Sequence, residues 1–247
     1  MVDYIYKNTD KIFTTSRSFV DQIADRGVPK NKIFYWPQYS EEYSISTNEV
    51  SFDSSKFNII FTGNIGESQG LDVLIETASL LQEEGKENEV SFNLVGEGRY
   101  KDKLIEQISE RNLSSMFRLI SKKSPEEIPG IISKNDVALI SLKRNELFEK
   151  TIPAKLQTYM YSSSPILAVA KGEVENIIEA SASGLSSEPG NPVGLKDNIL
   201  KFMSFSEQEF NTMRENSLEF YNNNFKKREL MNSLDNHIIT DINNRGE

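Results

Sequence analysis

The spacing of apolar residues changes period repeatedly along this chain, and each change marks an element. Phe57–Thr62 is a β-branched apolar run short enough to be a buried strand. It breaks at Gly63-Asn64-Ile65-Gly66. Helical spacing then begins, with Leu71, Leu74, Ile75 and Ala78 on one face of a helix predicted over Leu71–Glu84. The same switch recurs toward the C-terminus. Strands predicted over Val90–Val95, Phe117–Ser121, Asp136–Ser141, Pro165–Val169 and Gly184–Ser187 alternate with helices over Tyr100–Arg111, Ser124–Lys134, Ala154–Tyr161, Val174–Ala182 and Val193–Met203. Ser124-Pro125-Glu126-Glu127 reads as a helix start, with a serine cap, a proline and first-turn carboxylates. Two long helices, Ser206 to Asn223 and Lys226 to Asp241, end the pattern. Such alternation predicts an α/β fold with a Rossmann-like, doubly wound, mostly parallel sheet. Ahead of it lie a short strand over Asp10–Ser16, a helix over Arg17–Arg26 and a strand over Lys32–Trp36, too little to be a domain. Ser40–Ser55 is polar and reads as a connector.

This organisation places the chemistry. Open α/β sheets bind ligands at the carboxyl ends of their strands. Here those ends carry Gly63-Asn64, Gly96-Glu97-Gly98, Ser121-Lys122, Ser141-Leu142 and Ala170-Lys171-Gly172-Glu173. A strand, a glycine-rich turn and a helix start make an anion site, because glycine admits close backbone approach and the free N–H groups attract negative charge. Glycine-rich βα turns also occur without any ligand, so the motif needs its context.

Composition removes several alternatives. Cysteine is absent and His237 is the sole histidine, which excludes disulfides, thiolate or histidine-cluster metal sites and a histidine-dependent triad in the core. A net charge of −9 argues against broad nucleic-acid binding. No apolar run approaches the roughly 20 residues a bilayer span needs. With Asp3, Lys7 and Asp10 so soon after Met1, no leader peptide is expected there. A cytoplasmic location is expected, either free or at the inner face of the membrane.

Residues Lys56 to Ser233 resemble the C-terminal, donor-binding domain of retaining GT-B glycosyltransferases of family four, a group that builds bacterial surface polysaccharides. The matching stretches are Phe61-Thr62-Gly63-Asn64-Ile65-Gly66, Gln69–Ile75, Leu94-Val95-Gly96-Glu97-Gly98, Ile152–Met160, Pro165-Ile166-Leu167-Ala168 and Ser183-Gly184. Asp10–Pro37, with its Arg26-Gly27-Val28-Pro29 turn, resembles the last segment of the family's first domain. The resemblance implies one half of a GT-B fold. Residues 1–43 are then a remnant of the N-terminal acceptor domain and linker, 44–233 the nucleotide-sugar donor-binding domain, and 234–247 the end of the C-terminal helix and tail. The N-terminal domain would be missing through truncation or supplied by another polypeptide.

The resemblance further implies a donor site of Gly63, Asn64, Gly66, Gln69, Gly96, Glu97, Gly98, Ser121, Lys122, Ile152, Leu156 and Thr158. Many members clamp the diphosphate with Arg and Lys in the first glycine loop, where this chain has Asn64 and Gln69. Many also carry a pair of glutamates where this chain has Lys150 and Thr158. The cation must therefore come from Lys150 or Lys155, each a point charge on a flexible stem. Thr158 stands where a carboxylate holds ribose hydroxyls in many relatives. Lys155 and Lys122 also read as solvated lysines, Glu97 as turn polarity, and Glu173 either as a sugar contact or as a helix cap. Phe34-Tyr35-Trp36 reads as buried strand or as surface bared by the absent half, and His237 as a surface residue.

The expected function is the donor half of a hexosyl-type transferase in capsule, O-antigen or exopolysaccharide synthesis. It would use a UDP- or GDP-sugar and a lipid-linked or glycan acceptor, with no cofactor and no metal, and the isolated chain would be inactive. The alternative is a non-catalytic nucleotide-sugar-binding or assembly subunit. An epimerase of the same architecture lacks the ionisable groups it would need in the cleft.

Overall fold

A computed structural model describes residues 1–43 and 50–245. Six parallel strands form the main sheet: β3 (Phe57–Thr62), β4 (Val90–Val95), β5 (Phe117–Ile120), β6 (Val137–Ser141), β7 (Ile166–Val169) and β8 (Gly184–Ser187). Their order is β5-β4-β3-β6-β7-β8. The order reverses between β3 and β6, where Ile59 pairs with Val137, and such a reversal opens a crevice at the carboxyl ends of the strands.

Both faces of the sheet are covered, as an all-parallel sheet requires. Along β3 the residues alternate: Ile59 and Phe61 enter one core and Ile60 the other. The first core is closed by α3 (Asp72–Glu83), α4 (Lys101–Glu110) and α9 (Pro192–Ser204), through Leu74, Leu104 and Phe202. The second is closed by α5 (Ile128–Ile132), α7 (Ala154–Tyr161), α8 (Glu173–Ser181) and α10 (Glu207–Asn224), through Ile131, Tyr159, Ile178 and Tyr221. Each fully buried Leu, Ile or Phe contributes about 1.5–3 kcal/mol. Asn191 caps α9, accepting from the Gly194 amide at 2.9 Å, and Ser206 with Glu209 forms a capping box on α10. Such caps are worth about 1 kcal/mol each.

The leading unit comprises α1 (Val2–Lys7), β1 (Ile12–Thr14), α2 (Arg17–Ala24) and β2 (Ile33–Tyr35), with β1 and β2 paired in parallel. The long helix α11 (Lys227–Arg245) lies against it. The Trp36 indole N–H donates to the Leu230 carbonyl at 2.8 Å, and the His237 ring packs 4.3 Å from Phe34. Replacing Trp36 with Phe is expected to cost about 1 kcal/mol and to speed hydrogen exchange in α11, with β3–β8 unchanged. Equal exchange in α11 of the two proteins would show that this contact does not hold the helix.

Several sequence expectations are corrected. Ser124-Pro125-Glu126-Glu127 does not open a helix. The Ser124 amide donates to the Glu127 carboxylate at 3.0 Å, closing a turn, and α5 starts only at Ile128 with Pro129 in its first turn. His237 is half-buried on Phe13 and Phe34 rather than free at the surface. Phe34 and Trp36 are half-buried and partly covered by α11 rather than fully buried or bare. Helix α11 runs past its expected end at Asp241, to Arg245. The middle of the expected connector, residues 44–49, lies outside the described residues. Among the described residues no helix is long and apolar enough to cross a membrane.

Candidate functional site

A cleft of about 880 Å³ opens at the carboxyl ends of β3 and β4. Its floor is Thr62, Gly63 and Asn64 after β3 and Val95–Gly98 after β4. One wall is the start of α7, with Ala154, Lys155 and Thr158; another is the segment carrying Lys122, Lys123, Pro125 and Ile128. Across the cleft runs the connector, with Tyr39, Ser40, Glu41 and Tyr43. The volume suits a drug-sized or nucleotide-sized ligand.

The floor is built by two interlocked loops. The Gly63 amide donates to the Val95 carbonyl at 2.9 Å, Ile65 to Glu97 at 2.8 Å, and Tyr100 to Ile65 at 3.0 Å. A Cβ on Gly96 would collide with the Gly63 carbonyl, and one on Gly98 with the Ile65 carbonyl. These two glycines are therefore required by loop-on-loop contact. Gly63 differs: its φ is +121°, and the nearest atoms to a Cβ built there are those of Lys155, with Nζ at 3.9 Å. Its open side faces the lysine.

Lys155 lies in the first turn of α7. Its Nζ donates to the Gln69 side-chain oxygen at 2.6 Å and stands 3.7 Å over the Phe61 ring. Gln69 ends a 3₁₀ turn over Glu67–Gln69, and Gly70 (φ +60°) turns the chain into α3 beside Lys143. Among the described residues no carboxylate pairs with Lys155, whereas Lys101, Lys123 and Lys227 are paired with Glu97, Glu127 and Glu41. Desolvation among Phe61 and the loop pushes the Lys155 ammonium down to about 7. No side chain caps α7 at Pro153 and the Leu156 amide donates to the Pro153 carbonyl at 2.9 Å, which leaves the Ala154 and Lys155 amides to meet an anion. The half-buried Lys155 ammonium, the start of α7 and the Gly63 bend thus border one side of the cleft.

Residues 44–219 match the family model described as Glycosyl transferases group 1. The chain belongs to that family. A relative named as a colanic acid biosynthesis glycosyl transferase, WcaI of Escherichia coli K12, is 26% identical over 178 residues, covering 68% of this chain and 42% of its own. An uncharacterized 41.2 kDa protein from the cps region of Klebsiella pneumoniae is 25% identical over 246 residues, 93% of this chain and 63% of its own. The chain thus spans about half the length of these relatives. Among solved structures, Anabaena HepE in complex with UDP-glucose superposes with a TM-score of 0.74 at 15% identity, over 95% of this chain and 66% of HepE. The fold is that of the Rossmann-like halves of GT-B glycosyltransferases.

Within this glycosyl transferase domain the cleft gathers Gly63, Asn64, Gly96, Glu97, Gly98, Lys122, Lys155 and Thr158. Gln69 stands behind Lys155 and holds its amine. Ser121 is exposed outside the cleft lining, and Gly66 is buried beneath the Asn64 amide. Ile152 and Leu156 are core residues, 4% and 0% exposed. Lys150 sits at the end of α6 (Glu146–Glu149), half-buried and away from the cleft lining. Glu173 caps a helix other than its own: its carboxylate accepts from the Ser18 amide in the first turn of α2 at 2.5 Å. Sequence reasoning missed the Tyr39–Tyr43 wall. The only local signal was two tyrosines four residues apart in an otherwise polar connector.

Proposed function

We propose that this chain carries the nucleotide-sugar site of a retaining, metal-independent glycosyltransferase of surface-polysaccharide synthesis. The donor is a UDP- or GDP-hexose, and the acceptor is a lipid-linked or glycan hydroxyl. The observation that carries this reading is the unpaired Lys155 ammonium facing Gly63 at the strand-order reversal. In the reaction, the bond between the anomeric carbon and the diphosphate oxygen breaks. The acceptor oxygen bonds that carbon on the same face, and its proton passes to the departing phosphate. Lys155 and the first-turn amides of α7 stabilise the charge that develops on the leaving group, typically the largest contribution to such catalysis. Calorimetric titration with UDP and GDP tests the site. Binding at millimolar ligand is expected, and none from either nucleotide would sink the reading.

The proton balance gives a sharper prediction. Lys155 rests at about 7, and a bound diphosphate raises it. Above pH 7 the amine must therefore take up a proton as UDP binds. Titrations at pH 8.5 in buffers of different ionisation enthalpy should show nearly one proton taken up. Zero uptake would mean that the diphosphate does not reach Lys155.

A second reading is a binding or assembly subunit. Lys150 lies away from the cleft lining and Asn64 and Gln69 are uncharged, which leaves Lys155 and Lys122 as its unpaired cations among the described residues. Sugar transfer on mixing with a polypeptide equivalent to the portion of the relatives that this chain does not cover would reject it.

A further inference from the structure

The Lys155 side chain has the surroundings of a nucleophilic amine rather than of an ion pair. Its amine gives a hydrogen to the Gln69 side-chain oxygen at 2.6 Å and stands 3.7 Å over the Phe61 ring. The side chain lines the cleft. Gly63 leaves its approach clear, since a Cβ built there would meet only the lysine's own Nζ and Cε within 4 Å. The carboxylates of the same lining are engaged elsewhere, Glu41 by Lys227 and Glu97 by Lys101. Lys123 is held by Glu127, which leaves Lys122 as the lining's other unpaired cation among the described residues.

An aromatic face and an amide oxygen do not hold a charge as a carboxylate does, and desolvation brings the amine down to about 7. At pH 8 most of it is neutral, against under about 1% for a lysine in water. A neutral amine carries the lone pair that attacks a carbonyl carbon. Lys122 in another wall, with the Ala154 and Lys155 amides, favours an electrophile that bears negative charge.

We propose that Lys155 is an acylation site of this chain, modified by small acyl phosphates that enter the cleft. The amine nitrogen attacks the carbonyl carbon. A C–N bond forms, the C–O bond to phosphate breaks, and the amine's proton leaves with the departing group as hydrogen phosphate. The product is a neutral amide with no charge to offer a diphosphate, so acylation closes the site to the nucleotide. That consequence rests on the nucleotide reading above; the acylation itself does not.

The test treats the whole chain with acetyl phosphate at pH 8 and follows each lysine by peptide mass spectrometry. Lys155 should acetylate at least about tenfold faster than the exposed Lys122 and Lys143. Gln69→Glu sets a carboxylate against the amine, and should slow Lys155 by about tenfold with Lys122 and Lys143 unchanged. UDP should bind the chain acetylated at Lys155 about tenfold or more weakly than the untreated chain. Lys155 acetylated no faster than Lys122 and Lys143 overturns the proposal. So does a Lys155 rate indifferent to Gln69→Glu, with folding of the variant checked by circular dichroism. Fast acetylation of Lys155 with UDP affinity unchanged supports the acylation site and overturns the placement of the diphosphate on Lys155.

Discussion

Lys155→Met should weaken UDP binding by roughly 10- to 100-fold while leaving the protein as stable as before or more so. The loss is that of a charge-assisted bond to phosphate, about 1.5–3 kcal/mol. The stability effect follows from the site's construction. The Lys155 ammonium is desolvated without a carboxylate partner, and its folded value near 7 lies below the 10.5 of a free lysine. The sign is therefore unfavourable to folding. The burden is full below about pH 7, shrinks as pH climbs toward 10.5, and is gone above it. Methionine removes it, so the variant should gain roughly 1 kcal/mol near pH 6 and nothing near pH 11, after allowance for solvent at the cleft. Thermal unfolding at the two pH values reads this directly. A variant that loses binding because it unfolds would contradict the account. Binding that survives intact would show that the diphosphate is held elsewhere.

Gly98→Ala should be the more damaging change to the fold. Its Cβ would be driven into the Ile65 carbonyl, which already accepts from the Tyr100 amide at 3.0 Å. Neither group can yield without separating the two loops that floor the cleft. Overpacking of this kind costs about 2–3 kcal/mol, or roughly 5–10 °C in the midpoint of a chain this long. UDP affinity should fall with it, because Gly63 and Asn64 ride on the displaced loop. Gly85→Ala is the control. Gly85 has φ +73° with nothing within 4 Å of a built Cβ, so only the left-handed backbone is strained, at about 1 kcal/mol. Urea unfolding of the two variants checks the order. A Gly98 variant no worse than the Gly85 one would mean that loop contact is not what fixes that glycine.

The comparison of sequence and structure shows where local information ends. Val90–Val95 and Val137–Ser141 fall where their apolar runs put them, because burial on a two-sided sheet leaves little choice of register. The glycine bends were also legible, but not their reason. Only the folded chain reveals that Gly96 and Gly98 answer to backbone carbonyls after β3. The Ser124–Glu127 signature misled because the same side-chain reach that boxes a helix start can close a turn. Two features of the cleft were out of reach. Gln69 and Lys155 meet across 86 positions of sequence, and Ser40 and Thr158 across 118. No spacing rule connects such pairs, since the sheet's crossovers bring them together.

The central claim concerns the position of one ligand group, and a crystal structure of the chain with UDP measures it. The account predicts diphosphate oxygens within hydrogen-bonding distance of Lys155 Nζ and the first-turn amides of α7, with the nucleoside lying toward Thr158. Nucleotide bound away from the Gly63 bend, or a Lys155 amine still held by Gln69 with no phosphate beside it, would contradict the account.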